Sequence, residues 1–135
     1  MKEIYHCFRI KAYPGKVYKA LTSKSGLAGW WTEDLEHSGE PGSISTFRFK
    51  SGAFNRMQII TSQPHWIEWQ CIDGHEQWKG SRITFELCEL PAETLVCFSH
   101  FGFKEQTTYI GECSFFWARY FIQLQQLCER ESSIS

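Results

Sequence analysis

The chain is poor in the features that announce most kinds of function. Positive charge is not in excess: 14 Lys and Arg stand against 15 Asp and Glu, for a net charge of −1. Without a basic stripe, a nucleic-acid partner is not expected. No segment approaches the roughly 20 consecutive apolar residues that span a bilayer. The opening Met-Lys-Glu-Ile-Tyr-His lacks the apolar run of a secretory leader, so a cytoplasmic protein without membrane insertion is expected. There is no GxSxG elbow and no phosphate-binding glycine loop, and His75-Glu76 is not followed by a second histidine at helical distance.

The six cysteines (Cys7, Cys71, Cys88, Cys97, Cys113 and Cys128) include no CxxC pair. The five histidines show no ligand spacing. No metal and no cofactor is therefore expected. The cysteines are read as buried, reduced thiols that behave as small hydrophobes.

What the chain does have is aromatic mass. Of 135 residues 16% are aromatic, with 6 Trp and 11 Phe, inside a composition that is 42% hydrophobic and 21% charged. That balance predicts one folded domain with a core that needs no metal or disulfide. Residues 1–131 are assigned to it, and 132–135 to a loose tail.

Ile4–Lys11 alternates and predicts a first strand, with Ile4, His6, Phe8 and Ile10 on one face. Pro14 suits the first turn of a short helix through Leu21. Gly26 to Trp31 starts a second short helix. Trp30 and Trp31 are adjacent, so one is expected to pack inward and the other to lie along a surface or a pocket rim. Glu33–Gly42 reads as loop. Five more strands are predicted at Ile44–Lys50, Phe54–Ser62, Trp66–Asp73, Arg82–Leu90 and Thr94–Phe101, joined mostly by short turns into an antiparallel meander. A polar loop from Gly102 to Cys113 leads to a final helix, with Ser114 as its N-cap and Trp117, Tyr120, Phe121, Leu124, Leu127 and Cys128 as its apolar stripe.

Alternation assigns Phe47, Phe49, Met57, Ile59, Ile67, Trp69, Ile83, Phe85, Val96, Phe98 and His100 to one face of a six-stranded sheet. The last helix must cover that face. The expected architecture is α+β: a curved antiparallel sheet wrapped around a long C-terminal helix, with two short helices after the first strand.

That order resembles the START-like, or SRPBCC, helix-grip fold (the Bet v-like arrangement). Within it, the chain is similar to the homologues of the heat-shock protein 90 ATPase activator. The stretches that carry the resemblance are 10–22, with Tyr13-Pro14-Gly15-Lys16-Val17-Tyr18, and Gly26-Leu27-Ala28-Gly29-Trp30-Trp31-Thr32. They continue with Ile67-Glu68-Trp69-Gln70-Cys71-Ile72-Asp73-Gly74, residues 80–87, and Phe98-Ser99-His100 ahead of the helix bearing Trp117. The resemblance implies a cavity between sheet and C-terminal helix that takes an apolar or aromatic small molecule. The family's name implies a chaperone partner whose ATPase is stimulated.

Three readings of function result. In the first, a hydrophobic ligand occupies a cavity walled by Phe47, Phe49, Met57, Ile59, Trp69, Phe85, Phe98, Trp117, Phe121 and Leu124, with Trp30 or Trp31 at its mouth and His100 orienting the ligand. In the second, exposed aromatics, Trp66 and Trp78 foremost, dock a chaperone or a second copy of the chain. In the third, His100 acts as general acid or base of a cyclase- or hydrolase-like enzyme. His6 is the only other titratable side chain expected to face inward, and no carboxylate partner is evident for either. The first, non-catalytic reading is preferred.

Overall fold

The computed structural model describes residues 3–104 and 108–132. The elements run β1 (Glu3–Ile10), α1 (Pro14–Thr22), α2 (Lys24–Trp30), β2 (Asp34–Glu36), β3 (Ile44–Arg48), β4 (Phe54–Gln63), β5 (Trp66–Asp73), β6 (Arg82–Leu90), β7 (Glu93–Phe101) and α3 (Thr108–Ser132). The strands form one antiparallel sheet in the order β1-β7-β6-β5-β4-β3-β2. This is the helix-grip arrangement. The meander supplies β3 to β7, and the first strand returns to pair with the last.

The sheet has seven strands rather than six. The seventh is β2, inside the stretch expected to be loop, and it pairs Leu35 with Phe47 of β3. It holds one buried residue, Leu35, between two exposed acids, which is too short for alternation to register. Those acids, Asp34 and Glu36, both pair with Arg48 on β3.

Pro14 opens α1 as expected, and Ser23 then ends α1 and caps α2 at once. Its backbone N–H donates to Lys19 O, and its Oγ accepts from Gly26 N–H at 3.0 Å. The two helices cross so tightly that a Cβ on Gly26 would lie 2.6 Å from the Ala20 backbone. The indole of Trp30 spans the same junction and donates to Ala20 O at 2.9 Å.

The last helix begins at Thr108, not at Ser114. Ile110 and Cys113 are buried and extend the apolar stripe about two turns back from Trp117, so packing holds residues that read as loop. Ser114 is therefore inside the helix and caps nothing. It faces His6 of β1, whose Nε2 lies 3.2 Å from Ser114 Oγ and 3.3 Å from its carbonyl oxygen. Of the expected tail, Ser132 is the last residue of α3, and 133–135 lie outside the described residues.

Candidate functional site

Strand parity and the α3 stripe bring the predicted wall together. Trp30, Trp31, Phe47, Met57, Ile59, Trp69, Phe85, Phe98, His100, Trp117, Phe121 and Leu124 are all buried. Phe49 lies just past the end of β3 and is half-buried against the others. The tryptophan pair departs from expectation, because both rings are inside. Trp31 is the C-cap of α2, with φ −108° and ψ −69°. Its ring lies nearly parallel to Trp30, with centroids 5.9 Å apart and planes 12° off.

Between sheet and helix, ring meets ring. Trp31 packs on Phe47 at 4.3 Å and on Trp117 of α3 at 5.2 Å. Phe98 of β7 meets Phe121 at 4.7 Å, Trp117 at 4.8 Å and Phe85 at 5.2 Å. Tilted and edge-on pairs at these separations are favourable in themselves. The wall residues are thus in ring-to-ring contact with one another across the interior.

His100 is fully buried and fully committed. The Trp117 Nε1–H donates to its Nδ1 at 3.2 Å. Its Nε2 therefore carries the proton and donates to Ser81 Oγ at 2.9 Å, and Ser81 in turn donates to the carbonyl of Trp78. Burial pushes its pKa down to about 3. A neutral imidazole with both nitrogens occupied can neither take nor give a proton near pH 7. Trp78, one of the two expected surface aromatics, folds back over this network, its ring 4.6 Å from His100. Trp66 is exposed as expected, at 37%.

One open space is at a seam that the sequence did not single out; a larger one, of about 380 Å³, lies over β2 to β4 between Asp34, Arg48, Phe49, Phe54 and Arg56. Between β1 and α3 lies a cleft of about 170 Å³, lined by His6, Phe8, Ala118, Phe121, Ile122 and Gln125, with Cys7 beside them. Phe8 and Phe121 stack at 4.8 Å to form its floor. Gln125 is held across the rim by donating to Arg9 O at 2.9 Å. The signal was present in part: His6 and Phe8 share the buried parity of Ile4 and Ile10. What makes a gap there is the small side chain of Ala118 opposite, which alternation cannot weigh.

The cysteines also differ from expectation. Cys71, Cys113 and Cys128 are buried, but Cys7 is exposed and Cys88 and Cys97 are half-buried. Cys7 alternates with inward residues and so points outward, as do Tyr5 and Arg9. Cys97 does the same between Val96 and Phe98. Among the described residues there is no cluster of three or more His, Cys, Asp or Glu able to hold a metal. No described helix is long and apolar enough to cross a membrane.

The family model described as activator of Hsp90 ATPase homolog 1-like protein matches residues 11–129. The chain belongs to that family. Among solved structures, the Aha1 dimer from Colwellia psychrerythraea is similar to this activator homologue at 34% identity, with 96% of this chain and 97% of that one covered and a TM-score of 0.88. A protein from Mesorhizobium loti shares the fold at 20% identity and TM-score 0.86, covering 95% and 97% of the two chains. One from Bacillus halodurans does so at 18% identity and TM-score 0.79, covering 96% and 98%. Comparison with curated protein sequences gives no match.

Proposed function

We propose that this member of the activator-homologue family binds a small apolar or aromatic molecule between sheet and α3, admitted at the seam between β1 and α3. The observation that carries the reading is the cleft of about 170 Å³ on Phe8 and Phe121. An apolar cavity of about 150 Å³ is enough for a benzene-sized ring. Phe121 also touches Phe98 and Trp117, so a ring laid on it meets the edge of the aromatic stack. The residues named from the sequence then serve as back wall, and a larger ligand must part them. His6 and Gln125 give the rim two polar groups. His100 is sealed away and stays neutral, which favours a binding role over acid–base catalysis by that residue.

The test is native mass spectrometry of the purified protein, then thermal shifts against a library of one- and two-ring compounds. Ala118→Trp fills the cleft and should lower affinity for any binder at least tenfold while the circular dichroism spectrum is kept. No bound compound and no shift would sink the reading, as would binding indifferent to Ala118→Trp.

A second reading is association through the outer face of α3. Phe115 and Ile122 are two turns apart on that face, 62% and 53% exposed, with Phe116 beside them at 50%. Arg119 lies between, its guanidinium 5.9 Å above the Phe115 ring. The relative from Colwellia psychrerythraea is described as a dimer. We infer a second copy of this chain as the occupant, which would also cover the seam, since Ile122 belongs to both. Sedimentation velocity at micromolar concentration should show a dimer that Ile122→Asp converts to monomer. A monomeric wild-type protein would end this reading. If that monomer raised the ATPase rate of an Hsp90 chaperone, the face would pass to the chaperone.

A further inference from the structure

On the outer face of the sheet, remote from the aromatic stack, β1 and β7 place two cysteines side by side. Cys7 and Cys97 are direct partners in the antiparallel register. Their sulfurs are 3.3 Å apart. Directly opposed residues of an antiparallel pair have Cα atoms about 4.5–5.5 Å apart, inside the roughly 4.4–6.8 Å range of disulfides. Closing the bond needs the sulfurs to approach by only about 1 Å, within reach of small side-chain rotations.

We propose that Cys7 and Cys97 form a reversible thiol–disulfide site on the folded protein, oxidised by low-molecular-weight disulfides such as glutathione disulfide. Cys7 is the exposed member and is reached first. Its thiolate attacks one sulfur of glutathione disulfide, giving a mixed disulfide on Cys7 and releasing one glutathione thiolate. Cys97 then attacks the Cys7 sulfur, the Cys7–Cys97 bond forms, and the second glutathione leaves as thiolate. Two electrons pass from the protein thiols to glutathione disulfide, and the two thiol protons end on the two glutathiones. Burial holds the Cys97 thiol up at about 11, which suits it to the second, intramolecular step rather than to the first encounter.

Tyr5 stands two residues before Cys7 on the same outer face. The consequence lies at the seam: Cys7 is in β1, the strand that forms one wall of the cleft and the edge of the sheet. Oxidation would tie that edge covalently to β7.

The experiment uses the full chain, folded, in buffers of graded glutathione to glutathione-disulfide ratio. Samples are quenched with acid, alkylated and mapped by mass spectrometry. The expected result is loss of two of the six free thiols, a cross-linked Cys7–Cys97 peptide, and full reversal by excess glutathione. Cys7→Ser and Cys97→Ser should each abolish the cross-link, whereas Cys88→Ser should leave it intact. Six alkylated cysteines in glutathione disulfide alone would overturn the proposal. So would a stable glutathione adduct on Cys7 with no cross-link, or a cross-link that forms only in urea.

Discussion

His100 shows how parity can place a residue while its neighbours decide its chemistry. Alternation put it on the inner face, and there it sits. Its chemistry is decided by Trp117 and Ser81, which arrive from α3 and from the turn before β6 and saturate both nitrogens. A histidine held neutral, with its pKa depressed to about 3, leaves the unfolded chain as the better proton binder between about pH 6.5 and 3. Stability is full above 6.5 and falls as pH drops through that window, by about 1.4 kcal/mol per pH unit from this group. Urea unfolding at pH 7 and pH 5 should therefore show wild type losing about 2 kcal/mol more over that step than His100→Gln, which has nothing there to titrate. Phe85 makes the complementary point. It is fully buried, 5.2 Å from Phe98 and 5.6 Å from Trp69. Phe85→Trp should cost about 1–3 kcal/mol in a denaturant titration. If the larger ring is accepted without loss, the stack holds more room than its centroid distances indicate.

Elements were legible where a period could repeat and illegible where it could not. β1 and β3 to β7 were each found to within two residues, because an alternating face survives ends that fray. β2 has three residues and one buried side chain, so no period exists to find. The start of α3 was missed because the polar run around Lys104 and the glycine at 111 read as loop, while burial of Ile110 and Cys113 is a tertiary fact. The same blindness applies to glycines, which the structure now sorts. Gly26 is where α1 and α2 touch; Gly26→Ala would press a methyl onto the Ala20 backbone and should cost about 1–3 kcal/mol. Gly111 is in α3 with nothing within 4 Å of an added Cβ. Gly111→Ala should gain about 0.5–1 kcal/mol through lower entropy of the unfolded chain. Thermal unfolding of the two variants would move in opposite directions, and a shared rise would mean the crossing of α1 and α2 is less tight than described. The candidate site followed the same rule. Parity named the buried face of the sheet, but whether rings line a space or fill it depends on their mutual tilt, and the seam depends on one alanine.

At the scale of the whole molecule, the fold is a meander closed by its first strand. That closure joins Glu3 to Phe101 and Ile10 to Thr94, so one of the most extensive pairings in the sheet links residues far apart in sequence. Refolding after a stopped-flow jump from urea should be slow for a domain of this size, on the order of milliseconds to seconds and not microseconds. A microsecond phase carrying the full amplitude would contradict it. The order of synthesis sharpens the matter. β1 is made well before its partner β7, which does not exist until about 90 further residues have been added. At about 5–20 residues per second that interval is on the order of 5–20 s. Through it, β1 has neither the strand it will pair with nor the helix that will cover Ile4, Phe8 and Ile10. A ribosome carrying this chain thus holds β1 without its partner for seconds, and it is in that interval, before the sheet can close, that the strand is most open to pairing with the wrong neighbour.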